Sequence, residues 1–229
     1  MDFNHMWELW EYIEWQMTWL LLRIGGRLAD RSSIYQPLQH NEIRLITLAP
    51  GKWRDPIECS LQIVSLDDNP TYEALSYVWG NASLRKWICL KDANFDVSKN
   101  LEVALRHLRH EDSERVMWID AICINQSNDA EKSEQVKKMQ FIYARTSHLI
   151  VWVGEASEDS DLGMRTLKQV GEELKEGPIW EIDLANVSLI RDLPEAIERF
   201  DPKPCIALNR LFQRSWFERV WVLYSILLA

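Results

Sequence analysis

The sequence predicts an α/β domain built around a parallel sheet, and three observations predict it. The stretch Val116-Met-Trp-Ile-Asp-Ala-Ile-Cys-Ile-Asn-Gln126 opens as a continuous apolar run, the pattern of a strand buried on both faces, then breaks into Asp120, Cys123, Asn125 and Gln126. Tyr72-Glu-Ala-Leu-Ser-Tyr-Val-Trp-Gly80 does the same and ends in Trp79 and Gly80. Helical patterns follow both runs, and Leu149–Val153 supplies another β-branched strand. The order strand, helix, strand, helix, strand fits parallel strands joined by right-handed crossovers. Open α/β sheets build sites where strands deliver polar side chains at their C-terminal ends. The two tips therefore mark the candidate working surface.

Each element has a local reason. Residues 5–24 read as a helix with an acidic stripe at Glu8, Glu11 and Glu14, ended by Gly25-Gly26. Residues 27–41 read as a polar connector. Residues 42–48 alternate as a strand, Pro50-Gly51 turns the chain, and residues 59–66 form a second strand, giving a hairpin ahead of the main motifs. Asp67-Asp-Asn-Pro70 is a turn. Residues 86–97 carry one or two short strands. Ser98 caps a helix whose Leu101, Ala104, Leu105 and Leu108 share one face, with Arg106 and Arg109 at its C-terminal end. The strand at 116–122 follows. Asn128, three residues before Glu131, opens a helix to about Arg145 with an expected buried stripe of Val136, Met139, Ile142 and Tyr143. Gly154 stops the strand at 149–153. Glu155, Glu158, Asp159 and Asp161 gather at the start of a helix over about 160–175, where the macrodipole favours acids. A last helix is expected over about Ala207–Leu228. The division expected is a helical extension and connector over residues 1–41 and one domain over 42–229.

Composition narrows the function. The 229 residues carry a net charge of −9, and no basic patch stands against it, because Arg106, His107, Arg109 and His110 run straight into Glu111 and Asp112. A broad grip on nucleic acid is excluded on that ground. The apolar run around Trp19 to Leu22 is far too short to span a bilayer, and no signal peptide is evident. None of Cys59, Cys89, Cys123 and Cys205 pairs at the spacing of a zinc or redox motif, so reduced thiols in a cytoplasmic protein are expected; the acids Glu155, Glu158, Asp159 and Asp161 could hold a metal but fit a helix start better, so no metal site is expected.

Three blocks carry a resemblance: Tyr72–Gly80, Met117–Gln126, and Arg214-Ser-Trp-Phe-Glu-Arg-Val-Trp-Val-Leu223. Between them lie Asn100-Leu101, Gln135-Val136, Ile142-Tyr143 and Val151-Trp-Val-Gly154. Together they resemble the heterokaryon incompatibility (HET) domain of filamentous fungi over roughly residues 42–229. The resemblance implies non-self recognition and programmed cell death when unlike hyphae fuse, carried out by self-association or by binding partner proteins.

That family is in turn distantly similar to Toll/interleukin-1 receptor (TIR) domains, which implies a TIR-like, flavodoxin-like parallel sheet, here preceded by the N-terminal β-hairpin read from residues 42–66. Some TIR domains cleave NAD, so NAD enters as an implied ligand or substrate; no other cofactor is implied. Ser76-Tyr77 resembles the Ser-Tyr-like loop after an early TIR strand. The third block keeps Trp221, but Tyr224 and Ser225 stand where the HET pattern continues to Gln-Glu. Losing a carboxylate placed for an oxocarbenium-like transition state costs several kcal/mol. Glu218 lies two turns earlier on the expected helix, about 10 Å away, a poor substitute. The resemblance therefore implies an inactive or weak glycohydrolase, and whether the chain is an enzyme stays open.

Each candidate side chain carries a plainer alternative. Asp120 would bind a ribose hydroxyl or orient a base, or else cap the turn that follows it. Asn125 and Gln126 fit loop formation better than ligand binding. Cys123 has no histidine close in sequence to activate it, so a buried thiol fits better than a nucleophile. Trp79 beside Gly80 offers a face for a nucleotide base or a second copy, or simply closes the sheet. Arg214, Trp216, Arg219 and Trp221 form either an anion clamp or, for the aromatic members, the buried face of a helix.

Overall fold

The computed structural model describes residues 34–174 and 201–218. They fall into two compact units that part between Trp152 and Val153. The expected helix over residues 5–24 lies outside the described residues.

The first unit is a seven-stranded mixed sheet with helices, an α/β structure as expected. Strands β1 (Glu42–Leu48) and β2 (Glu58–Ser65) form the anticipated antiparallel hairpin, with Ile43 opposite Val64 and Leu48 opposite Cys59. The other edge of β1 pairs antiparallel with β6 (Arg115–Trp118), Ile46 facing Met117. Next comes β3 (Glu73–Tyr77), parallel to β6 on one side and to β7 (His148–Trp152) on the other. The hairpin is thus continuous with the parallel strands. Strands β4 (Arg85–Leu90) and β5 (Ala93–Ser98) form a second hairpin, turned by Lys91 and Asp92, both at positive φ, as a two-residue turn requires. It joins the sheet only where Glu58 and Cys59 meet Cys89 and Leu90. The order is β5-β4-β2-β1-β6-β3-β7. With β6 on one side of β3 and β7 on the other, the strand order reverses at β3, the place where open sheets leave a crevice at the strand ends.

Helix α1 (Lys99–Leu108) starts where Ser98 predicts, its hydroxyl accepting the Leu101 N–H at 3.2 Å. Leu101, Ala104 and Leu105 are buried as expected. Its arginines do more than sit at a helix end. Arg106 donates to the carbonyls of Trp53 and Asp55, and Arg109 to those of Lys52, Asp55 and Pro56, so both hold the β1–β2 loop.

The strand expected over 116–122 stops at Trp118. Asp120 Oδ1 accepts the N–H of Ala121 at 2.7 Å, and Cys123 N–H reaches the carbonyl of Ile119, so Asp120–Cys123 becomes a single helical turn, α2. Helix α3 (Asp129–Ala144) is capped by Asn128, which accepts the Glu131 N–H at 3.1 Å. Its buried stripe is Gln135, Ile142 and Tyr143, with Met139 half-buried; Val136 is 51% exposed, contrary to expectation. Gln135 donates to the carbonyl of Glu42, which fixes the helix rotation and turns the next residue, Val136, to solvent. Ile34 and Tyr35, from the expected polar connector, are buried in this core.

In the second unit, α4 (Ser160–Leu174) packs on α5 (Lys203–Phe212). A Cβ on Gly163 would lie 2.9 Å from the carbonyl oxygen of Ala207, so only glycine permits this approach. The expected long final helix ends at Phe212. The N–H of Arg214 turns back to Leu211 and that of Phe217 to Arg214, which brings Phe217 edge-on against Phe212 and Trp216. Packing Phe217 against Phe212 and the buried Trp216 by these tight turns is incompatible with continuing the helix through residues 213–218.

Candidate functional site

The C-terminal ends of β3 and β6 meet as the sequence anticipates. Trp79 follows β3 and Asp120 follows β6, and the indole N–H of Trp79 donates to Asp120 Oδ2 at 3.0 Å. The other carboxylate oxygen accepts the neighbouring Ala121 N–H, so both oxygens of Asp120 are held by protein donors. The indole remains 45% exposed, with its orientation fixed by that bond. Gly80 takes φ +75°, a conformation that side chains rarely adopt, and lets the chain leave the strand sharply. Behind it, Asn100 Nδ2 donates to the carbonyl of Val78 at 2.6 Å while Asn100 Oδ1 accepts the Trp152 indole N–H at 2.9 Å. One amide side chain thereby ties α1 to the ends of β3 and β7.

The floor of the site is set by burial. Ser76 and Tyr77 are buried beneath Trp79 in sequence. Cys123 is fully enclosed, its sulfur accepting the Ile119 N–H at 3.3 Å, and burial pushes its thiol up to about 12. A thiol so hard to ionise is no nucleophile at neutral pH. Asn125 Oδ1 accepts the Ser127 N–H, an Asx turn, and so forms the loop. Gln126 Nε2 donates to the carbonyl of Asp120 at 2.9 Å and closes the loop over the helical turn.

The whole loop hangs on a pair that the sequence did not single out. Arg44, 1% exposed, makes a two-pronged ion pair with Glu131 at 2.6 and 3.1 Å and also donates to the carbonyls of Cys123 and Gln36. Glu131 accepts the Asn125 N–H as well. Burial pushes the Glu131 carboxyl up, but the Arg44 hydrogen bonds and the Asn125 N–H outweigh it and hold it below its ordinary value. Glu131 was visible only as a helix-cap residue, and nothing in the sequence of β1 distinguishes Arg44 from a solvent-facing arginine.

Trp79, Tyr77 and Phe95 wall a recess of about 180 Å³, together with Val97 and Ala121, with Gln126 at one side. Arg85 and Asp96, on β4 and β5, also line it and pair at 2.8 Å, both partly exposed. Sequence reasoning missed this wall because the second hairpin reaches the site only through tertiary folding. A further hollow of about 200 Å³ lies by Ile34, Leu61 and Arg44, away from the strand tips.

In the second unit, Arg214 donates to the carbonyls of Val153, Gly154 and Glu155 and to the hydroxyls of Ser157 and Ser160. It staples a loop, and Trp216 is buried. Asp159 of the acidic cluster pairs with Arg210 at 2.8 Å, which holds its carboxyl below the ordinary value. Arg219, Trp221 and Ser225 lie outside the described residues. Among the described residues no helix is long and apolar enough to cross a membrane.

The sequence model of the family described as heterokaryon incompatibility protein (HET) matches residues 72–224, from the start of β3 through the third block. Heterokaryon incompatibility protein 6, OR allele, of Neurospora crassa is 32% identical over 235 aligned positions, which cover 90% of this chain and 34% of the relative. The chain thus spans about a third of the length of the curated relative it matches. No solved structure matches it significantly. Strands β1 and β2 precede the matched region yet share its sheet. This chain belongs to the heterokaryon incompatibility (HET) family.

Proposed function

We propose that this chain is a fungal non-self recognition and cell-death signalling module that works in the cytoplasm by self-association or by binding a partner protein, rather than by catalysis. The observation that carries this reading is the Trp79–Asp120 contact. The carboxylate that would have to do chemistry is held by two protein N–H groups, while the indole it orients stays about half exposed. A rigid, half-exposed aromatic ring over buried support is the kind of residue that anchors protein interfaces. The enclosed thiol of Cys123 supports the same reading, since burial keeps it protonated at neutral pH.

Light scattering of the purified chain against concentration tests it. Association that rises with concentration and is lost in Trp79→Ala is the expected result; a monomer throughout, with no partner recovered through this face, overturns self-association. NAD as a substrate is tested by following nicotinamide release: turnover abolished by Asp120→Ala would replace the signalling reading with a glycohydrolase. No release from the native chain, with release gained in Ser225→Glu, would support a lost catalytic acid.

A further inference from the structure

We propose that the loop over residues 79–84 and the recess beside it form a two-fold self-association face, whose partner is a second copy of this chain. This rests on the association reading and gives it a geometry: the Trp79 ring of each copy seats in the recess of the other. The first observation behind it is a rigid loop that projects apolar side chains. Trp79 is 45% exposed and Leu84 51%. Both ends of the loop are pinned. Asp120 holds the Trp79 indole, Asn100 donates to the Val78 carbonyl, and the Lys99 N–H donates to the carbonyl of Leu84 at 2.8 Å. In between, Asn81 Oδ1 accepts the N–H and the hydroxyl of Ser83, and the Leu84 N–H closes a turn on the Asn81 carbonyl. Side chains on a loop already fixed lose little entropy when a partner covers them.

The second observation is fit. The recess of about 180 Å³ admits one aromatic side chain, since an apolar cavity of about 150 Å³ holds benzene. Tyr77, Phe95, Val97 and Ala121 give it an apolar lining, and Trp79 is one wall. A ring entering from a second copy meets that indole, and aromatic pairs attract beyond the area they bury. A projecting ring beside a hollow that accepts a ring is complementary to itself, which is what a two-fold interface requires. The third observation is charge. Arg85 and Asp96 line the recess with opposite signs, their side chains 40% and 31% exposed. A two-fold axis through this rim sets Arg85 of each copy against Asp96 of the other, so the face attracts its own image although the chain carries a net charge of −9. Oδ1 of Asp96 is buried and takes no part; Oδ2, which Arg85 already holds, is the oxygen offered.

Sedimentation equilibrium of the full chain against concentration tests the proposal, with circular dichroism to confirm that each variant folds. The native chain is expected to dimerise in the micromolar range, the weak end for interfaces of ordinary size. Ala82→Glu puts a charge on the recess lining where the indole seats, and Arg85→Glu sets acid against acid at the rim. Each is expected to weaken the dimer by about tenfold or more. Asp96→Lys is expected to do the same by setting base against base. Mixing Arg85→Glu with Asp96→Lys restores opposite charges at both rim contacts, so the mixture is expected to associate more tightly than either variant alone. A dimer unchanged by Ala82→Glu and Arg85→Glu, or a mixture no tighter than its components, would overturn this geometry and leave self-association to another face. Assembly that grows past the dimer would overturn the two-fold arrangement. A native chain that stays monomeric up to about 100 μM would overturn self-association itself. Should Asp96→Lys fail to fold, Ala82→Glu and Arg85→Glu still decide.

Discussion

The indole N–H of Trp79 lies 3.0 Å from Asp120 Oδ2, joining residues 41 apart in sequence at the ends of two neighbouring parallel strands. The bond orients an exposed ring and occupies a carboxylate at once. Replacing Asp120 by Ala removes it together with the bond to Ala121, and by the usual worth of such bonds at a partly exposed site should destabilise the fold by about 1–2 kcal/mol. Urea unfolding of Asp120→Ala against Trp79→Phe checks this. Trp79→Phe loses only the shared bond and should lose less; equal losses would mean that the Ala121 cap contributes nothing.

Arg44 and Glu131 are the deeper support of the same loop. Cutting one side of a buried ion pair leaves the other charge unpaired, so Arg44→Met alone should destabilise by about 3–5 kcal/mol, and Arg44→Met with Glu131→Leu by much less. Chemical denaturation of the two variants measures the difference. A double variant as weak as the single one would show that the carbonyl contacts of Arg44, not the pair, hold the loop.

Acid should expose the same pair. The Glu131 and Glu73 carboxyls are both held below their ordinary value of 4.5, the latter chiefly by hydrogen bonds from Arg115. A group whose folded pKa is depressed adds stability that is present above its unfolded pKa and is lost as pH falls through the folded one. Stability should therefore hold near neutrality and decline on acidification below about pH 4.5. Unfolding free energies across that range, compared with Glu131→Gln, should show a shallower acid limb in the variant.

Thiol chemistry should separate the cysteines. Burial pushes the Cys59 and Cys123 thiols up to about 12, whereas Cys205 is exposed. Titration with a chromogenic disulfide at neutral pH should modify Cys205 promptly, and Cys59 and Cys123 only after denaturation. Prompt reaction of Cys123 in the native chain would reopen its candidacy as a nucleophile.

Gly163 makes a prediction for the second unit. Alanine is the better helix former by about 1 kcal/mol, yet its Cβ would press on the Ala207 backbone at 2.9 Å. Because backbone cannot give way as a side-chain end can, Gly163→Ala should be destabilising despite the propensity gain. Limited proteolysis and thermal melting would check it; a stabilised variant would mean that the two helices separate easily.

Much of the fold was legible because it is written locally. Ser98 caps α1, Asn128 caps α3, the alternation over residues 42–48 is β1, and the apolar runs into Tyr77 and Trp118 are the central strands, since caps and strand periodicity depend on neighbours in sequence. Asp120 was visible as a strand-tip acid, but not that it would end the strand at Trp118. Val136 looked core-facing until Gln135 bonded Glu42 and set the rotation of α3. The turn after Phe212 was hidden because aromatic packing, not helix propensity, decides it.

The amino-acid order by itself determined the α/β class, the two strand tips and the family, since each rests on short local patterns and the order in which they follow along the chain. Only the tertiary structure decided that Asp120 would be taken by Trp79, that Arg44 would be buried against Glu131, and that the hairpin of Arg85 and Asp96 would wall the recess. The first two pairings join residues 41 and 87 positions apart, and hydrogen bonds over such separations are set by strand order and register rather than by any local pattern.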